Sequence, residues 1–99
     1  MWAQLLKFQV KPGSADEIEQ VYREVDAHTG PETGWVRSYS LRNRKNPDEV
    51  YALIVFESEA KARQYEQSPE QTKLTSRTGE LMVGTPEFVD FDLVTEYAP

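Results

Sequence analysis

Val50-Tyr51-Ala52-Leu53-Ile54-Val55-Phe56 is apolar or aromatic at every position, so both faces of the extended chain are covered. A strand over solvent alternates with period two, and a continuous run bounded by turn residues predicts one in the middle of a sheet. Just before it, Asn46-Pro47-Asp48 is a turn signal. It closes a hairpin with a second strand over Trp35 to Arg42, in which Trp35, Tyr39 and Leu41 share one face by parity. Just after it, Ser58 stands where an N-cap belongs, opening a helix that carries Ala62 and Tyr65 on one side. Ser68-Pro69-Glu70-Gln71 then supplies a cap, a proline at the first helical position and a capping-box glutamine. A short third helix through Leu74 and Thr78 follows, to be broken by Gly79 or Gly84.

The two ends of the chain complete the pattern. Ala3 to Lys11 places Leu6, Phe8 and Val10 on one face and Lys7, Gln9 and Lys11 on the other, and Pro12-Gly13 ends it. Ser14 with Glu17 three residues later is a capping box. The helix it predicts carries Ile18, Val21, Tyr22 and Val25 as one apolar stripe and stops at Gly30-Pro31. Phe88 to Tyr97 alternates again, with Val89, Phe91, Leu93 and Tyr97 opposite Asp90, Asp92 and Glu96. Strand, helix, strand, strand, helix, strand with right-handed crossovers is the ferredoxin-like α+β arrangement, an antiparallel sheet with helices on one face. The expectation is one domain over residues 1–99. Its uncovered face would mix Tyr51, Leu53 and Val55 with Lys7 and Gln9. Such a half-apolar face predicts a partner, most simply a second copy of the chain.

Composition narrows the function classes. Ninety-nine residues form one thin core, in which a pocket of even ~300 Å³ takes a large share of the interior. Seventeen acidic against eleven basic residues give a formal charge of −6, which repels nucleic-acid backbones and anionic membranes. With no cysteine and one histidine, neither a thiolate nucleophile nor a transition-metal site is expected. No apolar run is long enough to cross a bilayer, and Met1-Trp2-Ala3-Gln4-Leu5 lacks the features of a signal peptide, so the expected location is cytoplasmic.

Several segments carry a further signal: Phe8-Gln9-Val10-Lys11-Pro12-Gly13, Val55-Phe56-Glu57-Ser58-Glu59-Ala60, Ser68-Pro69, and Thr85-Pro86-Glu87-Phe88-Val89-Asp90-Phe91. In these the chain resembles the antibiotic biosynthesis monooxygenase family of dimeric α/β-barrel proteins. The resemblance implies a homodimer that could act as a cofactor-independent monooxygenase of a small aromatic or carbonyl compound. It equally admits a non-catalytic ligand-binding or structural dimer of the same fold. Where haem-degrading members carry a tryptophan, a histidine and a polar first-strand residue, this chain has Phe56, Tyr65 and Leu6, so no cofactor is expected.

Phe56, Tyr65 and Tyr22 are the residues expected to line a substrate pocket between helices and sheet. Tyr65 is also a candidate catalytic hydrogen-bond donor, because a buried phenol can donate to a ligand carbonyl or phenolate. His28, the only imidazole, is the candidate general base; at a helix C-terminus it also suits the dipole. Arg42, Arg44 and Lys45 read as a solvated basic hairpin tip, with Arg37 further along the strand. Asp90, Asp92 and Glu96 read as a solvated strand face.

Overall fold

The computed structural model describes residues 1–99. Strand β1 (Trp2–Val10) leads into helix α1 (Ala15–His28) and a 3₁₀ turn over Pro31–Thr33. The hairpin β2 (Trp35–Arg42) and β3 (Glu49–Phe56) follows, then α2 (Glu59–Glu66), α3 (Pro69–Gly79) and β4 (Met82–Asp92). The strands form one sheet of order β2-β3-β1-β4, antiparallel throughout. β3 is therefore interior, as its unbroken apolar run requires, and β1 is the other central strand. This is the ferredoxin-like α+β fold.

The helices bury one face of the sheet in two adjoining clusters. Phe8, Val10, Val50 and Ala52 pack against Ile18, Val21 and Tyr22 of α1 and Leu74 of α3. Trp2, Ile54 and Phe56 pack against Ala62 and Tyr65 of α2. Leu6, only partly buried, touches both clusters and marks the seam between them. Ile18 and Val50 are fully enclosed, each contributing about 1.5–3 kcal/mol by leaving water.

Three local expectations are corrected. Trp35 does not share a face with Tyr39 and Leu41. The pairing shifts from Trp35↔Phe56 to Arg37↔Val55, so β2 carries one extra residue there. This bulge turns Trp35 inward under the helices and leaves Val36 exposed. Ser14 precedes α1 but makes no side-chain cap. Its backbone is already helical (φ −93°, ψ 0°), whereas a capping serine needs an extended backbone to fold its hydroxyl onto the first turn. Of the two ends expected for the third helix, Gly79 is the one found, and Gly84 lies well beyond it.

The last strand begins at Met82, six residues before the expected start, and ends at Asp92. Gly84 (φ +77°), one of the two ends offered for the third helix, and Pro86 lie in an irregularity between the pairs Gln9↔Val83 and Lys7↔Glu87. An edge strand tolerates a proline there because it has no neighbour to which it must donate. Beyond Asp92 the partner strand runs out. Leu93 N–H donates to Met1 O at 3.0 Å, and the tail returns across the molecule, where Glu96 meets Arg37 at 3.3 Å.

Gly34 fixes how β2 enters. Its φ of +85° closes the 3₁₀ turn, and a Cβ there would lie 2.5 Å from Lys61 Cβ on α2. Only glycine lets the turn approach α2 this closely. That approach sets Trp35 at the helix–sheet boundary.

Candidate functional site between helices and sheet

Phe56, the last residue of β3, lies among three other rings. Its centroid is 5.9 Å from Trp2, 6.0 Å from Trp35 and 6.2 Å from Tyr65, and Trp35 lies 5.3 Å from Tyr65. All four contacts are tilted or edge-on, the arrangement that sets the positive edge of one ring toward the negative face of another. Sequence spacing identified Phe56 and Tyr65 but not the tryptophans. Trp2 lies at the chain start, and Trp35 is turned inward by a bulge.

Tyr65 projects from α2 one turn after Ala62, and Tyr22 from α1 one turn after Ile18; both phenols are buried. Burial pushes Tyr22 up to about 12, with the neighbouring Asp26 and Tyr65 adding to it. Burial also raises Tyr65, reinforced by Glu70 and Asp26. Both rings are therefore neutral phenols at pH 7, able to donate hydrogen bonds but not to act as phenolate bases. The Tyr65 hydroxyl has no partner, nor do Trp35 Nε1 and the Ser38 hydroxyl. Unpartnered buried donors are rare and point to a guest, often a water.

Tyr22, Phe56 and Tyr65 border one cavity of about 30 Å³ at the seam beside Leu6, with Gln4, Glu66 and Gln71 as its polar lining. That volume admits a guest of water size. Leu6, Tyr22, Gln71 and Leu74 also wall an open groove of about 320 Å³ between α3 and β4, completed by Met82, Pro86 and Phe88. Gln71, Thr75 and Phe88 continue into a wider mouth bordered by Gln4, Arg63, Glu66 and Asp90. Cavity, groove and mouth form one cleft along the upper face of β1 and β4.

His28 lies outside it. It is exposed at the end of α1, where Nδ1–H donates to Glu24 O at 2.8 Å. It opens onto a separate polar groove with Glu70, Lys73 and Arg77. The structure thus brings together three of the four candidate residues and leaves the imidazole apart.

Gln4, Glu66 and Gln71 escaped the sequence reading as cleft residues, as did Arg63 and Thr75. Gln4 lies two residues before Leu6 and so on the same face of β1. Period-two parity extended to the strand start would have placed it there. Glu66 and Gln71 flank the α2–α3 junction, where helical periodicity breaks. Asp90, read as a solvated carboxylate, accepts from Gln4 Nε2 at 3.1 Å and from Arg63 Nη2 at 2.9 Å. At the basic hairpin, Arg42 is taken up by Asp16 at 2.6 Å and Glu19 at 2.7 Å on α1. No helix of the chain is long and apolar enough to cross a membrane.

Solved structures share this architecture. A protein from Nitrosomonas europaea, described as a putative antibiotic biosynthesis monooxygenase, superposes with a TM-score of 0.83 at 13% identity, covering 96% of this chain and 100% of that one. A protein of the same description from Caulobacter crescentus gives 0.84 at 19% identity, covering 95% and 90%. SnoaB, a cofactor-independent oxygenase from Streptomyces nogalater, gives 0.80 at 21% identity, covering 96% and 94%. At these identities the likeness is one of fold. No curated protein sequence matches. The sequence model of one family fits residues 1–76, from β1 into α3 and so including both tyrosines and Phe56. By that match the chain belongs to the antibiotic biosynthesis monooxygenase family.

Proposed function

We propose that the protein is a homodimeric, cofactor-independent monooxygenase of a small aromatic or carbonyl compound. The cleft over β1 and β4 would be its substrate site, Phe56, Tyr22 and Tyr65 its inner lining, and the cytoplasm its location. The observation that carries this reading is the convergence of two neutral phenols, one with an unpartnered hydroxyl, at the inner end of an apolar groove. A compound with an acidic C–H next to a carbonyl can supply its own electrons to dioxygen. One oxygen atom enters the product, and the other leaves as water with two hydrogens from the substrate. The protein then has to exclude bulk water, orient the ring and donate hydrogen bonds to the carbonyl oxygen as it gains negative charge. Tyr65 is the proposed donor. His28, facing another groove, has no role in this scheme.

The small volume beside Tyr65 favours a second reading: a ligand-binding or structural dimer in which side chains have filled the inner pocket. Oxygen uptake with anthrone as probe separates the two. A monooxygenase consumes one O₂ per anthraquinone formed, and Tyr65→Phe lowers that rate by about a hundredfold, the usual effect of removing one such donor. Uptake no faster than in buffer would leave the non-catalytic reading standing.

The dimer is proposed through the open sheet face. Its central row, Tyr39–Leu53–Leu5–Val89, is apolar across all four strands, and Tyr39 and Val89 are about half exposed.

A further inference from the structure

Arg63 is the only cation among the residues lining the cavity, the groove and the mouth of the cleft. Its guanidinium is engaged by three carboxylates. Nη1 donates to Glu66 at 2.9 Å, and Nη2 to Asp90 at 2.9 Å and Glu59 at 3.5 Å. Its Cζ also lies 5.1 Å from the centroid of the Trp2 ring, a contact that holds it in place. The second oxygen of Asp90 is occupied by the Gln4 amide. The mouth lining, Glu66 and Asp90 against Arg63, has an excess of one negative charge, and Glu59 sets a third carboxylate beside the same guanidinium, in a protein whose formal charge is −6.

An anionic ligand entering here would pass those carboxylates. It would then lose water in a groove of Leu6, Leu74, Met82 and Phe88, where no free cation waits to pair with it. Burying an unpaired carboxylate is among the costliest steps in binding. An uncharged aromatic compound meets neither obstacle, and the Thr75, Gln71 and Gln4 side chains can serve its polar substituents. We infer that the cleft selects an uncharged aromatic ligand over its anionic analogue, with Glu66 and Asp90 setting that specificity by occupying Arg63. The inference rests on the reading of the cleft as the ligand site.

2-Naphthamide and 2-naphthoate have the same shape and differ in charge, so calorimetric titration of each at pH 7 tests it. The native protein should bind the amide at least about tenfold more tightly, and added salt should narrow the gap by screening the carboxylates. In E66Q/D90N, checked for a native-like melting curve, the freed guanidinium should raise naphthoate affinity while leaving naphthamide little changed. The salt series on native protein gives the same test without a variant. Equal affinities in the native protein would overturn the selectivity and leave the cleft standing as a ligand site. Binding of neither probe would overturn the cleft reading, and the selectivity with it.

Discussion

Tyr22 shows how one side chain can belong to core and cleft together. It is 3% exposed, packs with Ile18 and Leu74 in the larger cluster, and forms part of the wall between cavity and groove. Helical spacing from Ile18 was enough to place it inward. What spacing could not show is that the packing around it stops short, leaving a void at the seam with the second cluster. Its acidity gives a test. In the unfolded chain a tyrosine ionises near pH 10, whereas in the fold burial raises this to about 12. Between those values the unfolded state has lost the proton and the native state keeps it, so stability falls as pH rises through that window and is unaffected below it. Two units correspond to about 3 kcal/mol. Denaturant titrations at pH 9 and pH 11.5 should therefore show a steeper loss in the native sequence than in Tyr22→Phe, and parallel losses would refute the burial argument for this group.

Among the elements, the helices that start with serine divide sharply. Ser58 accepts from Lys61 N–H and Ser68 from Gln71 N–H, both at 3.2 Å, and both have extended backbones. Ser14 does neither, although its motif with Glu17 looks the same on paper. Ser68→Ala should cost about 1 kcal/mol, since an N-terminal amide loses its acceptor. Ser14→Ala should cost less than about 0.5 kcal/mol, with no cap to lose. Chemical denaturation of the two variants side by side checks the pair, and equal losses would sink the distinction. The contrast explains what was legible in the sequence. Helix positions followed from stripes such as Ile18-Val21-Tyr22-Val25, because burial enforces that period. The cap geometry depends on how the chain arrives from β1, through the turn in which Ser14 N–H donates to Lys11 O at 2.9 Å, and no local motif encodes that. The same holds for β4, whose bulge at Gly84 and Pro86 disguises a strand, and for Trp35, whose face is set by one extra residue.

At the scale of the whole molecule, the sheet has two apolar faces and the chain supplies helices for only one. That much was legible, because Val50–Phe56 has no polar side. Sheet register then shows what lies on the other. The row Arg37–Val55–Ala3–Phe91 flanks the central apolar row on one side, and Leu41–Tyr51–Lys7–Glu87 on the other. The charges therefore gather toward two corners, and the apolar groups run across the middle, as in an interface with a hydrophobic centre and a polar rim. Val55 is a poor probe of this face despite its central strand. It is already 6% exposed in one chain, so a charge there would damage the subunit itself. Leu53 is half-buried, lies between Leu5 and Tyr39, and keeps its outer side free. Leu53→Asp should leave each subunit folded, because the side chain can hold its carboxylate in water, but would bury that charge if a second copy covered the face. Light scattering at micromolar concentration should give a dimer mass for the native protein and about half that mass for the variant, with little change in the far-ultraviolet circular dichroism. A native monomer, or a variant that stays dimeric, would mean that the open face is not where two copies meet.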